Sequence, residues 1–113
     1  MAISDVQLKN NYYQVIDENG KKIKEAHYSS VGELQGIGID FIVFLKNHYY
    51  ATYDENLKRI KEVHESSLGT FKNAAGVSIN FIKNNYIATY DKNFTKKSEK
   101  HIWFGFLKLV LLH

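Results

Sequence analysis

His27, His64 and His101 stand 37 residues apart, and three imidazoles brought to one axis could bind a metal ion or form a pH-sensitive cluster. Strand parity relative to Ile60 puts them on the more solvated side, so exposed imidazoles are expected and no metal is assigned. Asp17, Asp54 and Asp91 each open a D-x-N sequence, which resembles the start of a calcium loop. The distal bidentate Glu of such a loop is missing, and turn stabilisation is the better reading. Ser29-Ser30 and Ser66-Ser67 recur with the same spacing and read as strand-end or turn residues. No nucleophile, base and orienting group can be assembled from these residues, so neither enzymatic activity nor a cofactor is expected. The remaining chemistry is aromatic and amide. Tyr13, Tyr50 and Ile87, or Tyr12, Tyr49 and Tyr86, offer flat apolar side chains flanked by Asn10/Asn11, Asn47/His48 and Asn84/Asn85. Ring plus amide suits a sugar, and up to three equivalent sites would gain by multivalency. The candidate ligand set is Tyr13, Asn11, Tyr50, His48, Asn47, Asn84, Asn85 and Ile87.

The elements that must position these residues come from one repeated stretch. LKNHYYATYDENLKRIKEVHESSLG from Leu45 has an earlier copy from Leu8 and a later one from Ile82. A single domain covering 1–113 is therefore read as units 8–44, 45–81 and 82–113, with an N-terminal strand at 2–7 completing the closure. Aromatic and β-branched bursts alternate with Asn, Asp and Gly, and proline is absent, so the bursts read as strands and helix has little support. In the second unit the strands fall near Phe41–Asn47, Tyr49–Asp54, Leu57–His64 and Leu68–Asn73, giving four strands per unit.

Turn chemistry supports these divisions. Asp17-Glu18-Asn19-Gly20 offers a side-chain acceptor followed by residues that tolerate positive φ. Leu57 and Phe94 replace the glycine later, which moves the expected left-handed position onto Asn56 and Asn93. A second turn is expected at Lys46-Asn47-His48 and Lys83-Asn84-Asn85, and a third at Gly36-Ile37-Gly38 and Asn73-Ala74-Ala75-Gly76. Tyr49, Ala51 and Tyr53 alternate with Tyr50 and Thr52, so both faces of that strand are apolar, as in a multilayered β structure. Lys97 and Lys100 replace the inward apolar residues of the outer strand in the third unit, whose last hairpin is expected to be the least stable.

Three similar units that cannot bury their faces alone match the plan of a β-trefoil. LKNNYYQVIDENGKKIKEAH and FLKNHYYATYDENLKRIKEVH resemble trefoil proteins of the hisactophilin and fascin type. The resemblance implies a trefoil fold and, by analogy, lectin-like or cytoskeletal binding. The alternative is β-propeller-type blades, read from GIGIDFIVFLKNHYYATYDENLKRIKEV; three blades would close only by oligomerisation. The expected function is a non-enzymatic binding module for a carbohydrate or protein, the alternative a self-assembling repeat protein. Ile102 to Leu112 forms an apolar stretch, too short to span a membrane, that could serve as a final buried strand or a homo-oligomer contact. The net charge of +3 is spread among mixed signs, which argues against nucleic acid. The chain has no Cys and opens without a basic-then-apolar leader, so a cytoplasmic location is expected.

Overall fold

The computed structural model describes residues 2–102, and the stretch beyond Ile102, including the apolar run read as a final strand, lies outside the described residues. Eleven strands form among them: β1 (Ile3–Lys9), β2 (Tyr12–Asp17), β3 (Lys22–His27), β4 (Glu33–Ile37), β5 (Ile42–Lys46), β6 (Tyr49–Tyr53), β7 (Arg59–His64), β8 (Thr70–Ala75), β9 (Ser78–Lys83), β10 (Tyr86–Tyr90) and β11 (Lys96–His101). They make three antiparallel sheets in chain order, β1-β2-β3, β4-β5-β6-β7 and β8-β9-β10-β11. The all-β architecture and the four strands of the second and third sheets match the sequence reading. The 37-residue period is kept, yet each four-stranded sheet begins at residue 33 or 70, near the end of a sequence unit rather than at its start. A tandem repeat fixes a period and leaves the phase open. β1 pairs with β2 inside the first sheet.

Local chemistry sets the reversals. Asn10 and Asn11 (φ 51° and 68°), Asn47 and His48 (50° and 70°), and Asn84 and Asn85 (51° and 67°) form two-residue loops with both φ values positive, the geometry that matches strand twist. At the next reversal, Asp17 Oδ1 accepts from the N–H groups of Asn19 and Lys21, both at 2.9 Å, and Asp54 and Asp91 do the same in their sheets. The left-handed residue there is Gly20, Leu57 or Phe94, not the expected Asn56 and Asn93. Two bonds to one carboxylate fix the backbone, and partial or full burial of Leu57 and Phe94 in the core offsets a conformational cost of about 1–2 kcal/mol. Gly36 and Asn73 lie within β4 and β8 beside a bulge, so the third turn starts later than expected, around Gly38 and Gly76.

The serine pairs form helical turns that strand patterning does not anticipate, α1 (Tyr28–Val31) and α2 (Glu65–Leu68). Each carries the chain from one sheet to the next. His27 and His64 cap them, Nδ1 accepting from the N–H of Ser29 at 3.2 Å and of Ser66 at 3.1 Å. Gly32 and Gly69 close them at φ +96°, where an added Cβ would lie 2.4 Å from the Leu45 or Ile82 carbonyl oxygen.

The sheets pack face on face. Val6, Tyr13 and Val15 of the first sheet bury against Ile42 and Phe44 of the second, while Phe41, Val43 and Tyr50 on the opposite face of the second meet Ile79, Phe81 and Tyr90 of the third. β4 packs on β8 and β1 on β4. Buried Thr52 donates its hydroxyl to the Lys92 carbonyl at 2.6 Å, and Lys92 reaches Asp40 at 2.9 Å, so polar ties cross the second interface as well.

Each end face carries a polar row among the described residues. Residues 37 positions before Phe44 and Ala51 are Gln7 and Gln14, which join Glu25 in a cross-strand row. Those 37 positions after Gly36, Val43 and Thr52 are Asn73, Asn80 and Thr89, continued by Ser98 and linked by Asn80 to Asn73 and Thr89 to Asn80 hydrogen bonds. Polar outer faces cap a stack of repeats. All six residues of β11, including Lys97 and Lys100, are exposed.

Phe81→Ala should destabilise the domain by about 3–5 kcal/mol in urea melts, because that ring is fully buried at the second interface. Gly69→Ala should cost about 2 kcal/mol or more through strain at positive φ and contact with the Ile82 carbonyl. Burial opposes ionisation of Asp91, but the Thr95 and Asn93 N–H bonds and Lys97 outweigh it and hold this carboxyl below its ordinary value. A depressed carboxyl contributes stability above its unfolded-state pKa and loses it as pH falls through the folded one. Acid titration of stability should therefore be shallower in Asp91→Asn than in the wild type at and below the usual aspartate range.

Candidate functional site

Two clefts share one lining, position by position. In the second sheet the cleft presents Lys46, Asn47, Tyr49, Tyr53, Arg59 and Glu62 beside α1. In the third, Lys83, Asn84, Tyr86, Tyr90, Lys96 and Glu99 stand at the same positions beside α2. Each has a volume of about 300 Å³. The first sheet offers the corresponding Lys9, Asn10, Tyr12, Lys22 and Glu25, without a preceding helical turn among the described residues.

The clefts are built from strand pairing. Lys46 lies opposite Tyr49, and Tyr49 opposite His64, in one row across β5, β6 and β7. Lys83, Tyr86 and His101 repeat that row in the third sheet, as do Lys9, Tyr12 and His27 in the first. In each row the imidazole meets the tyrosine ring nearly perpendicularly, with centroids 5.2, 4.9 and 5.0 Å apart for Tyr12, Tyr49 and Tyr86. The contact fixes the ring while leaving it about 40% exposed (41, 42 and 40%). Arg59 pairs with Glu62 at 3.2 Å, Lys96 with Glu99 at 3.4 Å and Lys22 with Glu25 at 3.0 Å. The Lys22 hydrogen bond holds Glu25 below its usual range despite some burial. Burial raises the Tyr53 phenol above its ordinary value, against the pull of Arg59, so it remains a hydroxyl donor at neutral pH.

A second pair of clefts lies at the sheet junctions. Asn11 and Tyr13 line one of about 480 Å³ between the first and second sheets, and Tyr50 lines one of about 460 Å³ with His64, Glu65 and Ser66. Both tyrosines are buried, and their hydroxyls accept from the Leu34 N–H at 3.3 Å and the Phe71 N–H at 3.1 Å, tying each sheet to the first strand of the next. They are core residues rather than open stacking platforms.

The expected ligand set is thus divided. Asn47 and Asn84 line the 300 Å³ clefts, whereas Asn11, Tyr13 and Tyr50 belong to the junctions. His48 is exposed on its turn and pairs with Glu65 at 3.1 Å. The Asn85 carbonyl accepts from the Ile102 N–H at 2.7 Å. Ile87 is half-buried on the third sheet, between Ile82 and Lys100. His27, His64 and His101 sit on separate sheets, and no group of three metal-ligating side chains occurs among the described residues.

Comparison with protein families, with curated proteins and with solved structures finds no match for this chain. The units can still be compared with one another. All three keep Lys, Asn, Tyr, Glu and His at the row and cleft positions and keep a cation at 22, 59 and 96. Positions that stay buried, such as Ile42 and Ile79, Phe44 and Phe81, or Ala51 and Ala88, are also kept, whereas Tyr13 and Tyr50 become Ile87, Ile23 and Ile60 become Lys97, and Ala26 and Val63 become Lys100 on the end face of the third sheet. Lys46, Arg59 and Glu62 were missed by a search for rings beside amides, although this retention was their signal; Tyr53 was missed too, and its position is Tyr90 in the third unit but Ile16 in the first.

Tyr49→Ala and Tyr86→Ala remove exposed rings, so each should lower stability by no more than about 1 kcal/mol, measured by thermal melting. Tyr50→Ala should cost about 3–5 kcal/mol, which would separate the cleft rings from the core rings.

Proposed function

We propose that this chain is a non-enzymatic binding module whose two complete clefts take carbohydrate. The observation that carries the reading is the retained lining: an exposed Tyr ring, an Asn amide, a phenol and a cation paired with a carboxylate, at equal volume in two sheets. Such groups stack on the apolar face of a sugar and bind its hydroxyls. The repeated site gives avidity toward a ligand long enough to reach both copies. We read the sheets as propeller-type blades in an open row rather than as trefoil units. Among the described residues each sheet is a meander paired only within itself, first strands lie side by side, and both end faces carry a polar row.

A second reading, assembly through a sheet edge, is favoured by one observation. Leu8 on β1 is 59% exposed, while Leu45 and Ile82 at the same position are covered by β4 and β8. Among the described residues β1 is an edge strand without a further partner on that side, and such an edge can pair with another chain. No helix among the described residues is long and apolar enough to cross a membrane.

Glycan-array binding that is lost in a Tyr49→Ala/Tyr86→Ala double variant with unchanged melting would support the binding module, and silence across the array would refute it. Light scattering over a dilution series tests the edge. A wild-type dimer that Leu8→Lys turns into a monomer is the result assembly requires, and a monomer at every concentration removes that reading.

A further inference from the structure

We propose that the two clefts bind an anionic polysaccharide, its carboxylate or sulfate groups at Lys46 and Lys83 and its sugar rings on Tyr49 and Tyr86. This rests on the binding-module reading and adds the class of ligand. Charge accounting within each cleft comes first. Arg59 and Lys96 are neutralised by Glu62 and Glu99. Lys46 and Lys83 are not: their ammonium groups reach only the Ser30 carbonyl at 3.4 Å and the Ser66 carbonyl at 2.8 Å, and no carboxylate lies within ion-pair distance among the described residues. Each cleft therefore keeps one uncompensated positive charge, directly across the strand pair from its exposed tyrosine. An anionic oxygen that replaced the neutral carbonyl would form a charge-assisted bond.

The arrangement also sets the ligand's shape. The Lys, Tyr and His row recurs on all three sheets, and packed sheets stand on the order of 10 Å apart. Charges therefore recur across the sheets, with an aromatic surface beside each. A polymer carrying an acid group at regular intervals along linked sugar rings would engage neighbouring rows together. The retained Glu62 and Glu99 offer acceptors for sugar hydroxyls. A nucleic acid instead draws its affinity from neutralised phosphates and from dense positive charge, which the net +3 of this chain does not supply.

The test is titration calorimetry of the full chain with polygalacturonate, heparin, dextran and poly(U). The acidic polymers should bind at least about tenfold more tightly than dextran and lose affinity with salt. Lys46→Ala/Lys83→Ala should weaken that binding by about tenfold. Lys61→Ala/Lys72→Ala removes the same charge from exposed positions outside the clefts and should change it by no more than about twofold. Binding of polygalacturonate alone would assign a carboxylate ligand, and of heparin alone a sulfated one. Equal loss in both double variants would mean diffuse attraction and overturn the proposal. Dextran binding as tight as that of the acidic polymers would overturn it while leaving the carbohydrate reading standing. Tightest binding to poly(U) would replace it with a nucleic-acid site, and silence from every polymer would remove both this proposal and the reading beneath it.

Discussion

Each sheet in this protein depends on the next for a dry face. A single repeat unit cannot bury its apolar face by itself, so neighbours must stack to make a continuous core, and here the second sheet is covered on both sides. Its strands are consequently apolar in both parities, with Ile42 and Phe44 toward the first sheet and Phe41 and Val43 toward the third. Much else follows from that stacking. Tyr13 and Tyr50 place their hydroxyls where the next sheet's first strand supplies an N–H, Gly36 leaves room for Phe71, and the helical turns set the step from sheet to sheet.

Stacking also determines what is left over. The residues at the hairpin end of each sheet, past the part of the face that the neighbouring sheet covers, form the rows of Lys, Tyr and His, and the clefts open where a helical turn meets those rows. The tyrosines there are held at the edge by imidazoles rather than swallowed by the core, so they keep a free surface without losing their orientation. At the ends of the stack, where no further sheet follows among the described residues, Gln14 and Asn80 occupy positions that are Ala51 and Val43 in the middle sheet. One repeat thus carries different residues in the middle and at the ends, according to what its face meets.

The pattern of drift among units bears on function. Selection for packing alone would hold buried positions and let exposed ones change. Here exposed Lys46 and Lys83, Tyr49 and Tyr86, Glu62 and Glu99 are kept as well as buried Ile42 and Ile79 or Phe44 and Phe81, while Tyr50 becomes Ile87 and Ile60 becomes Lys97. The loss of apolar residues is tolerated on the third sheet because its far face covers no other described sheet. The retained set has no such release, and the turn and ion-pair geometry of one unit explains only part of it.

The order of residues alone determined the 37-residue period, the strand character, the paired-asparagine hairpins and the aspartate turns. Each of these rests on interactions within a few residues or across one hairpin. Local pattern could not distinguish Tyr13 and Tyr50 as core from Tyr12, Tyr49 and Tyr86 as surface, since both parities are aromatic and only the neighbouring sheet decides which is covered. It also assigned the left-handed turn position to Asn56 and Asn93, whereas burial of Leu57 and Phe94 settled it from a distance. The phase of the sheets and the grouping of Lys46, Asn47, Tyr53, Arg59 and Glu62 in one cleft were likewise tertiary outcomes. Strand pairing within a sheet, closed by the helical turn before it, brings together residues that local pattern along the chain does not group.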